Sequence, residues 1–460
     1  MKTETPPVTY EAAFNDLRAE AEPWLSACFV PPPGFERILA PRSIIVFGGP
    51  GSGKTALYRE LRRRSHTTEG HPLRLLVDWR PAPLPPGVEA NLGWVRRQVF
   101  EIFDKCAKAL VGHLAAHPTD YREAPDWVKT RLRWFICRFL HGDARLRLEP
   151  LTQQYPQGAE VINDLLEAPV KDVLHDDADP DQILAELVTT LHGIELDGIW
   201  IMSDGLAGWA PVDTEHVVRG LGAFLSTLAL FEQAGLIYKL WAPTHLAPIL
   251  SHAGGIARRR LDSMHLRWDT GSLRRVVERR LALVLDKEKV SLEALCASPE
   301  FLPWLKKAGG HSPRHWLDQV APLARHAVRQ NRLPIDETTW LTLREEHPPR
   351  LYLDEQARRI LVGGRDIDLS KVPAKAYAML RYLYQRADEV IPKKELYYLG
   401  YRELKRIPAQ HEEKYEDTHN YEGVIDTNLW RLRKAIEPDP SHPVLLETVR
   451  GYGIRLHVRW

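Results

Sequence analysis

At 460 residues the chain is long enough for two to four domains and a large core, and its 44% hydrophobic and 27% charged residues match an ordinary globular composition. A net charge of +1 excludes a polybasic coat over the whole surface, while a local basic face stays open. The opening MKTETPPVTYEAAFND lacks an apolar signal core, no run reaches the roughly 18 apolar residues of a membrane span, and Cys28, Cys106, Cys137 and Cys296 form no C-x-x-C pair; buried thiols in a cytoplasmic protein without a membrane partner are expected.

Residues 1–40 read as a lead-in, with a helical pattern from Tyr10 to Cys28 stopped by Pro31-Pro32-Pro33. Ser43 to Phe47 is a β-branched, apolar run that reads as a buried strand. It leads into Gly48-Gly49-Pro50-Gly51-Ser52-Gly53-Lys54-Thr55, which fits the phosphate-loop pattern, and then into a helical pattern. Glycines at 49, 51 and 53 let backbone N–H groups converge on phosphate oxygens, where a Cβ would obstruct the turn. The helix start aims its positive dipole end at the same anion. Lys54 supplies a mobile cation for the β- and γ-phosphates, and Thr55 a hydroxyl for Mg²⁺.

Leu73 to Trp79 reads as a second strand. From about 91 to 192 the strand signal vanishes, and helical periodicity recurs at Leu92–Ala116, Trp127–Leu140, Val161–Val173 and Ile183–Leu191. This is a helical insertion with a basic helix (Lys129, Arg131, Arg133, Arg138, with Arg145 and Arg147 beyond), read as a solvated face in preference to a nucleic-acid surface. Ile199–Ser203, Leu236–Ala242 and Met264–Trp268 read as further strands, with a helix at Val217–Gln233 and another starting at Leu246. Such alternation implies a parallel sheet with covered faces, an α/β core over 41–270. Asp204, at the end of a buried strand, reads as the Mg²⁺ carboxylate, against capping of the following turn. An all-helical lid is expected over 271–335, and a separate α+β domain over 346–460.

The order of phosphate loop, long insertion, Ile-Trp-Ile-Met-Ser-Asp-Gly, sensor strand, LRWDTGSLRRVVERRL and GGHSPRHWL resembles the AAA+/STAND group of signalling ATPases, with an Orc/Cdc6-like lid, over roughly residues 40 to 330. The resemblance implies ATP and Mg²⁺ as cofactors. It implies Thr244 as the polar sensor after the fourth core strand and Arg314 as the lid arginine at the γ-phosphate, against a plain helix-start surface arginine. One of Arg258, Arg259 and Arg260 stands where a finger would reach a neighbouring subunit of a nucleotide-dependent oligomer, although a solvated loop is the plainer reading of that run. An arginine at either place answers charge on the γ-phosphate. One departure matters: no carboxylate follows Asp204 until Asp213. Without a placed base the attacking water is poorly oriented, so slow or absent hydrolysis is expected, with ATP as a conformational ligand.

In the last hundred residues, Leu351–Leu353, Ile360–Val362 and Ile367–Leu369 alternate as a small antiparallel sheet. Helices are expected at Ala374–Arg386, after Pro392, and at Val424–Glu437, where Ile425, Leu429, Leu432 and Ile436 form the apolar face. Leu445–Val449 and Ile454–Val458 flank Arg450-Gly451-Tyr452-Gly453 as a hairpin. These runs, with VIDTNLWRLRKAIEPDPSHPVLLETVRGYGIRL, resemble an OmpR/PhoB-type winged helix-turn-helix. The resemblance implies double-stranded DNA as partner, with Thr427, Trp430, Arg431 and Lys434 facing the major groove and Thr448 and Arg450 at the wing. Trp430 departs from the usual polar or basic residue; thymine methyls, sugars or a protein surface are its alternatives. The acidic connection from Leu399 to Glu422 stands where the family meets RNA polymerase or another protein. A nucleotide-controlled transcriptional regulator is expected; the alternatives are an Orc-like or transposon-type DNA loader and a STAND-type defence sensor using the winged helix for partner contact.

Overall fold

The computed structural model describes residues 9–14, 17, 19, 24–65, 73–81, 91–167, 173, 178–204, 214–225, 227, 232–248, 250, 261–355, 359–363, 365–412, 414–415 and 418–458. The chain divides into two compact units: residues 34–49 with 54–266, and the chain up to Pro33 with 50–53 and everything from Arg267 onward.

The first unit is built on a parallel sheet of β1 (Ile44–Phe47), β2 (Leu75–Asp78), β3 (Ile199–Ser203), β4 (Leu236–Ala242) and β5 (Asp262–His265), in the order β2-β3-β4-β1-β5. β1 and β3 are buried along their whole length, which is why they read as unbroken apolar runs. β1 pairs with β4 on one side and β5 on the other, so the loop leaving Phe47 stands at the carboxyl edge of the sheet interior. β3 lies one strand further, beyond β4, and delivers Asp204 to that edge. Open parallel sheets bind ligands along this edge. A parallel sheet with covering helices and a strand–loop–helix phosphate loop fits an α/β P-loop NTPase.

The insertion is helical, with Leu92–Ala116, Asp126–Phe139, Ala159–Glu167 and Pro180–His192 as its main elements. Asn91 caps the longest helix by accepting the Trp94 N–H at 3.1 Å. Phe103, Phe135 and Phe139 form its aromatic centre, with ring centroids 4.9 Å apart in two of the pairs. Its basic helix is largely neutralised from within: Arg131 pairs with Glu186, Arg133 with Asp164, and Lys129 donates to the Arg122 carbonyl at 2.8 Å. Arg147 bonds the buried Asp104 at 2.7 Å, and with the His141 N–H it holds that carboxyl down at about 2 against the opposing effect of burial. The main partners of Arg131 and Arg133 on this face are thus carboxylates of the insertion itself.

Lys239 is the least expected residue of this unit. It sits inside β4, fully buried, opposite Ile44 at the amino end of β1. Its ammonium donates to the carbonyls of Ile38 and Ala40 at 2.7 Å and of Arg42 at 3.0 Å, and lies 4.6 Å from the Trp200 ring centre. Three acceptors match its three donors. Burial, reinforced by Arg74 and Arg42, pushes its pKa down to about 7.

The second unit packs helices Thr270–Val284, Phe301–Gly309, Pro313–Gln330 and Glu337–Glu346 with the N-terminal helix Tyr10–Phe14. The Tyr10 hydroxyl donates to the Ala321 carbonyl at 2.9 Å, and Arg280 donates to Ala13 at 2.8 Å. The C-terminal segment belongs to the same unit. It has an antiparallel sheet of β6 (Leu351–Asp354), β7 (Arg359–Val362) and β8 (Arg365–Asp366), then helices Ala374–Gln385 and Lys393–Glu395, the latter running into a π-helical turn at Leu396–Tyr401. Helix Thr418–Ile436 follows, and the hairpin of β10 (Leu446–Val449) and β11 (Gly453–Leu456) pairs with β9 (Val390–Ile391). Asp318, on helix Pro313–Gln330, pairs with Arg350 at 3.1 Å, and any Cβ at Gly363 would strike the Ala308 carbonyl.

Three expectations are corrected. Ile367–Leu369 is not a strand: β8 ends at Asp366, the Ile367 N–H makes one last cross-strand bond to the Ile360 carbonyl at 2.9 Å, and Asp368 caps a 3₁₀ turn by accepting the Ser370 N–H at 3.1 Å. The strand placed at Met264–Trp268 ends at His265; Leu266 and Trp268 are buried without belonging to it. Cys137 is exposed, its thiol 3.4 Å from the Leu165 carbonyl, whereas the other three cysteines are buried. Among the described residues no helix is long and apolar enough to cross a membrane.

Candidate functional site

The phosphate-loop segment begins where β1 ends. The Gly48 N–H still donates to the Ala242 carbonyl of β4 at 3.0 Å, and helix Lys54–Arg64 starts six residues later. Gly51 and Gly53 have φ of +74° and +91°, values that favour glycine. Lys54 Nζ donates to the carbonyls of Gly48 at 2.8 Å and Gly49 at 3.0 Å, which folds the ammonium over the loop. Thr55 Oγ1 donates to Asp204 Oδ2 at 2.6 Å. The structure thus brings together two residues 149 positions apart, both hard oxygen donors. This pair fits Mg²⁺, which keeps most of its waters and takes few protein ligands. Among the described residues no group of three or more His, Cys, Asp or Glu could by itself hold a metal ion.

Residues 50–53 are gripped from the second unit, to which they belong. The Gly51 carbonyl accepts Ser312 Oγ at 3.2 Å and the Arg314 N–H at 3.4 Å. The Ser52 carbonyl accepts the Trp268 indole N–H at 2.8 Å. A Cβ on Gly51 would lie 2.9 Å from both Arg314 Cβ and Ser312 Oγ. Arg314 is half-buried at the start of helix Pro313–Gln330, and its guanidinium donates to the Leu17 carbonyl at 3.4 Å. Sequence reasoning missed Trp268 and the side-chain role of Ser312. Neither carries a local signal, because their partners lie more than 200 residues away in the chain.

Thr244 stands exposed at the start of a 3₁₀ turn directly after β4. Arg258, Arg259, Arg260 and Asp213 lie outside the described residues.

On helix Thr418–Ile436, Ile425, Leu429, Leu432 and Ile436 are buried, while Thr427, Trp430, Arg431 and Lys434 are exposed on other faces. Trp430 is 60% exposed, and Lys434 Nζ lies 5.1 Å from its ring centre. The Thr427 hydroxyl donates to the Gly423 carbonyl at 2.7 Å. Thr448 is exposed on β10, and its hydroxyl accepts from Arg433 at 2.7 Å; Arg433 also donates to the Leu446 carbonyl at 2.7 Å. Arg433, absent from the expected set, therefore ties the helix to the hairpin. Arg450 is exposed in the hairpin turn, beside Gly451 at φ +80° and Tyr452 at 76% exposure. In the connection, Glu412 is bound by Arg406 at 2.8 and 3.1 Å, whereas Glu413, Glu416 and Asp417 lie outside the described residues.

No family model matches the chain. It is 31% identical over 104 residues to the sensory transduction protein RegX3 of Mycolicibacterium smegmatis, covering 23% of this chain and 39% of the relative. It is 38% identical over 87 residues to the protein PetR of Rhodobacter capsulatus, covering 19% and 33%. The chain thus spans well under half the length of these curated relatives. Among solved structures, the Aeropyrum pernix ORC2 protein in ADPNP–ADP complexes aligns over 96% of this chain and 94% of that one, at 12% identity and a TM-score of 0.39. At that score the likeness carries no argument about this chain.

Proposed function

We propose that the chain is an ATP-binding, DNA-binding switch, a regulator in which nucleotide state controls assembly and DNA binding by a C-terminal winged helix. ATP phosphates occupy the loop from Gly48 to Thr55, with Lys54 on the β- and γ-phosphates. Thr55 and Asp204 would hold Mg²⁺, which would supply positive charge beside the phosphates. Arg314 and a member of the Arg258–Arg260 run sense the γ-phosphate, with Thr244 as the polar sensor. Hydrolysis is slow, because no carboxylate stands directly after Asp204.

The observation that carries the switch reading is the grip on the loop. Carbonyls of Gly51 and Ser52 are bonded to Ser312, Arg314 and Trp268, within the compact unit that also holds helix Thr418–Ile436. Phosphate binding recruits the backbone N–H groups of the same peptides, so the two states of the loop load those bonds differently. The partial match to a sensory transduction protein supports a signalling role for a domain of this kind. The experiment is light scattering of the full-length protein with ADP, with ATP and with a duplex DNA pool, followed by sequencing of the retained DNA. A larger DNA-bound species with ATP, retaining a defined sequence, is expected; a monomer retaining no DNA under every condition contradicts the reading.

A further inference from the structure

The four outward side chains of helix Thr418–Ile436 differ in what they offer a base edge. Arg431 and Lys434 carry donors. Thr427 has committed its hydroxyl hydrogen to the Gly423 carbonyl, which leaves its methyl as the free end of that side chain. Trp430 exposes most of an indole, and the Lys434 ammonium lies over that ring. Among the described residues of this C-terminal segment, Trp430 is the exposed large apolar side chain that stands on a long helix, whose other face buries Leu429 and Leu432. The acidic residue on the preceding turn, Asp426, is neutralised by Lys393 at 2.7 Å, so its charge does not oppose a polyanion.

The major groove offers one apolar feature on its base edges, the C5-methyl of thymine. Sugar contact is blind to that methyl, and the minor groove does not display it. Resting on the DNA-binding reading above, we infer that Trp430, with the Thr427 methyl beside it, is a specificity-determining residue that reads a thymine C5-methyl in the major groove, while Lys434 and Arg431 supply the flanking cationic contacts. Charge complementarity favours this occupant over a protein surface, since Arg431, Lys434 and the hairpin's Arg450 are all exposed.

The test uses full-length protein and duplex DNA selected by it from a random pool. Each thymine of the selected site is replaced singly by deoxyuracil, which removes only the methyl, and affinity is read by fluorescence anisotropy. One or two positions should weaken about three- to fivefold, the effect of burying one methyl group. Trp430→Phe should keep that sensitivity and Trp430→Ala should abolish it, with the salt dependence of binding unchanged because no counterion is involved. DNA binding with no uracil-sensitive position, or sensitivity that survives in Trp430→Ala, overturns this inference and leaves the DNA-binding reading standing. Absence of any salt-sensitive DNA binding by the unaltered protein defeats both.

Discussion

Gly51 and Arg314 meet across 263 positions of chain: the Arg314 N–H donates to the Gly51 carbonyl at 3.4 Å, and a Cβ on Gly51 would come within 2.9 Å of Arg314 Cβ. The glycine is therefore required twice, by its φ of +74° and by the neighbour it admits. Gly51→Ala should destabilise the protein by about 1–2 kcal/mol from the backbone alone, and further through the clash. A fall in melting temperature of at least about 2 °C is expected. An unchanged melting temperature would mean that the loop and the start of helix Pro313–Gln330 are not held as described.

Lys54→Ala should weaken ATP binding by roughly 10- to 150-fold, the loss of one charge-assisted hydrogen bond of about 1.5–3 kcal/mol, with the fold intact by circular dichroism. Isothermal titration reads the affinity directly. Equal affinity in the variant removes Lys54 from the site.

Phosphate release should stay below about 1 per second, under the ordinary enzyme range, with or without DNA. A faster turnover would point to another carboxylate acting as base, Asp213 being the first to replace.

How much of this was legible in the sequence depended on the range of the interaction. β3 and β4 were readable to the residue because buried parallel strands are continuous apolar runs with abrupt ends. The phosphate-loop segment was readable because its spacing is local. What holds that loop was not: Trp268 and Ser312 bond backbone carbonyls, and a carbonyl leaves no trace in the residue type that bears it. Lys239 reads as one charge in LIYKLWA, although three distant carbonyls receive it. Arg433 carries no such signal because it falls between the buried and exposed faces of its helix, and it serves the hairpin instead.

Lys239 also gives a pH dependence. In the unfolded chain a lysine titrates near 10.4, and in the folded protein burial lowers it to about 7. Between these values the folded state has released a proton that the unfolded state still holds, so unfolding takes up a proton and stability rises with pH. The contribution is complete above about pH 10 and is lost as pH falls through 7. Thermal unfolding from pH 7 to 10 should show this rising component in the unaltered protein and its absence in Lys239→Met, which should also be less stable because three carbonyls lose their donor. Parallel pH profiles of the two proteins would contradict the assignment.

Arg431→Ala should weaken binding to the selected DNA by about 1–3 kcal/mol and relax preference at one base pair. Competition with single-position variants of the site reads both effects. A loss shared equally by all sequences, with a shallower salt slope, would place Arg431 on a phosphate instead.

The central claim is that nucleotide state governs DNA binding, and the direct measurement is the affinity of full-length protein for its selected duplex with ATP, with ADP and with neither, repeated for Lys54→Ala. ATP should give tighter binding than ADP through joined copies on one duplex, and the variant should show a single weak affinity under all three conditions. Identical affinities for the unaltered protein with ATP, with ADP and without nucleotide would contradict the claim.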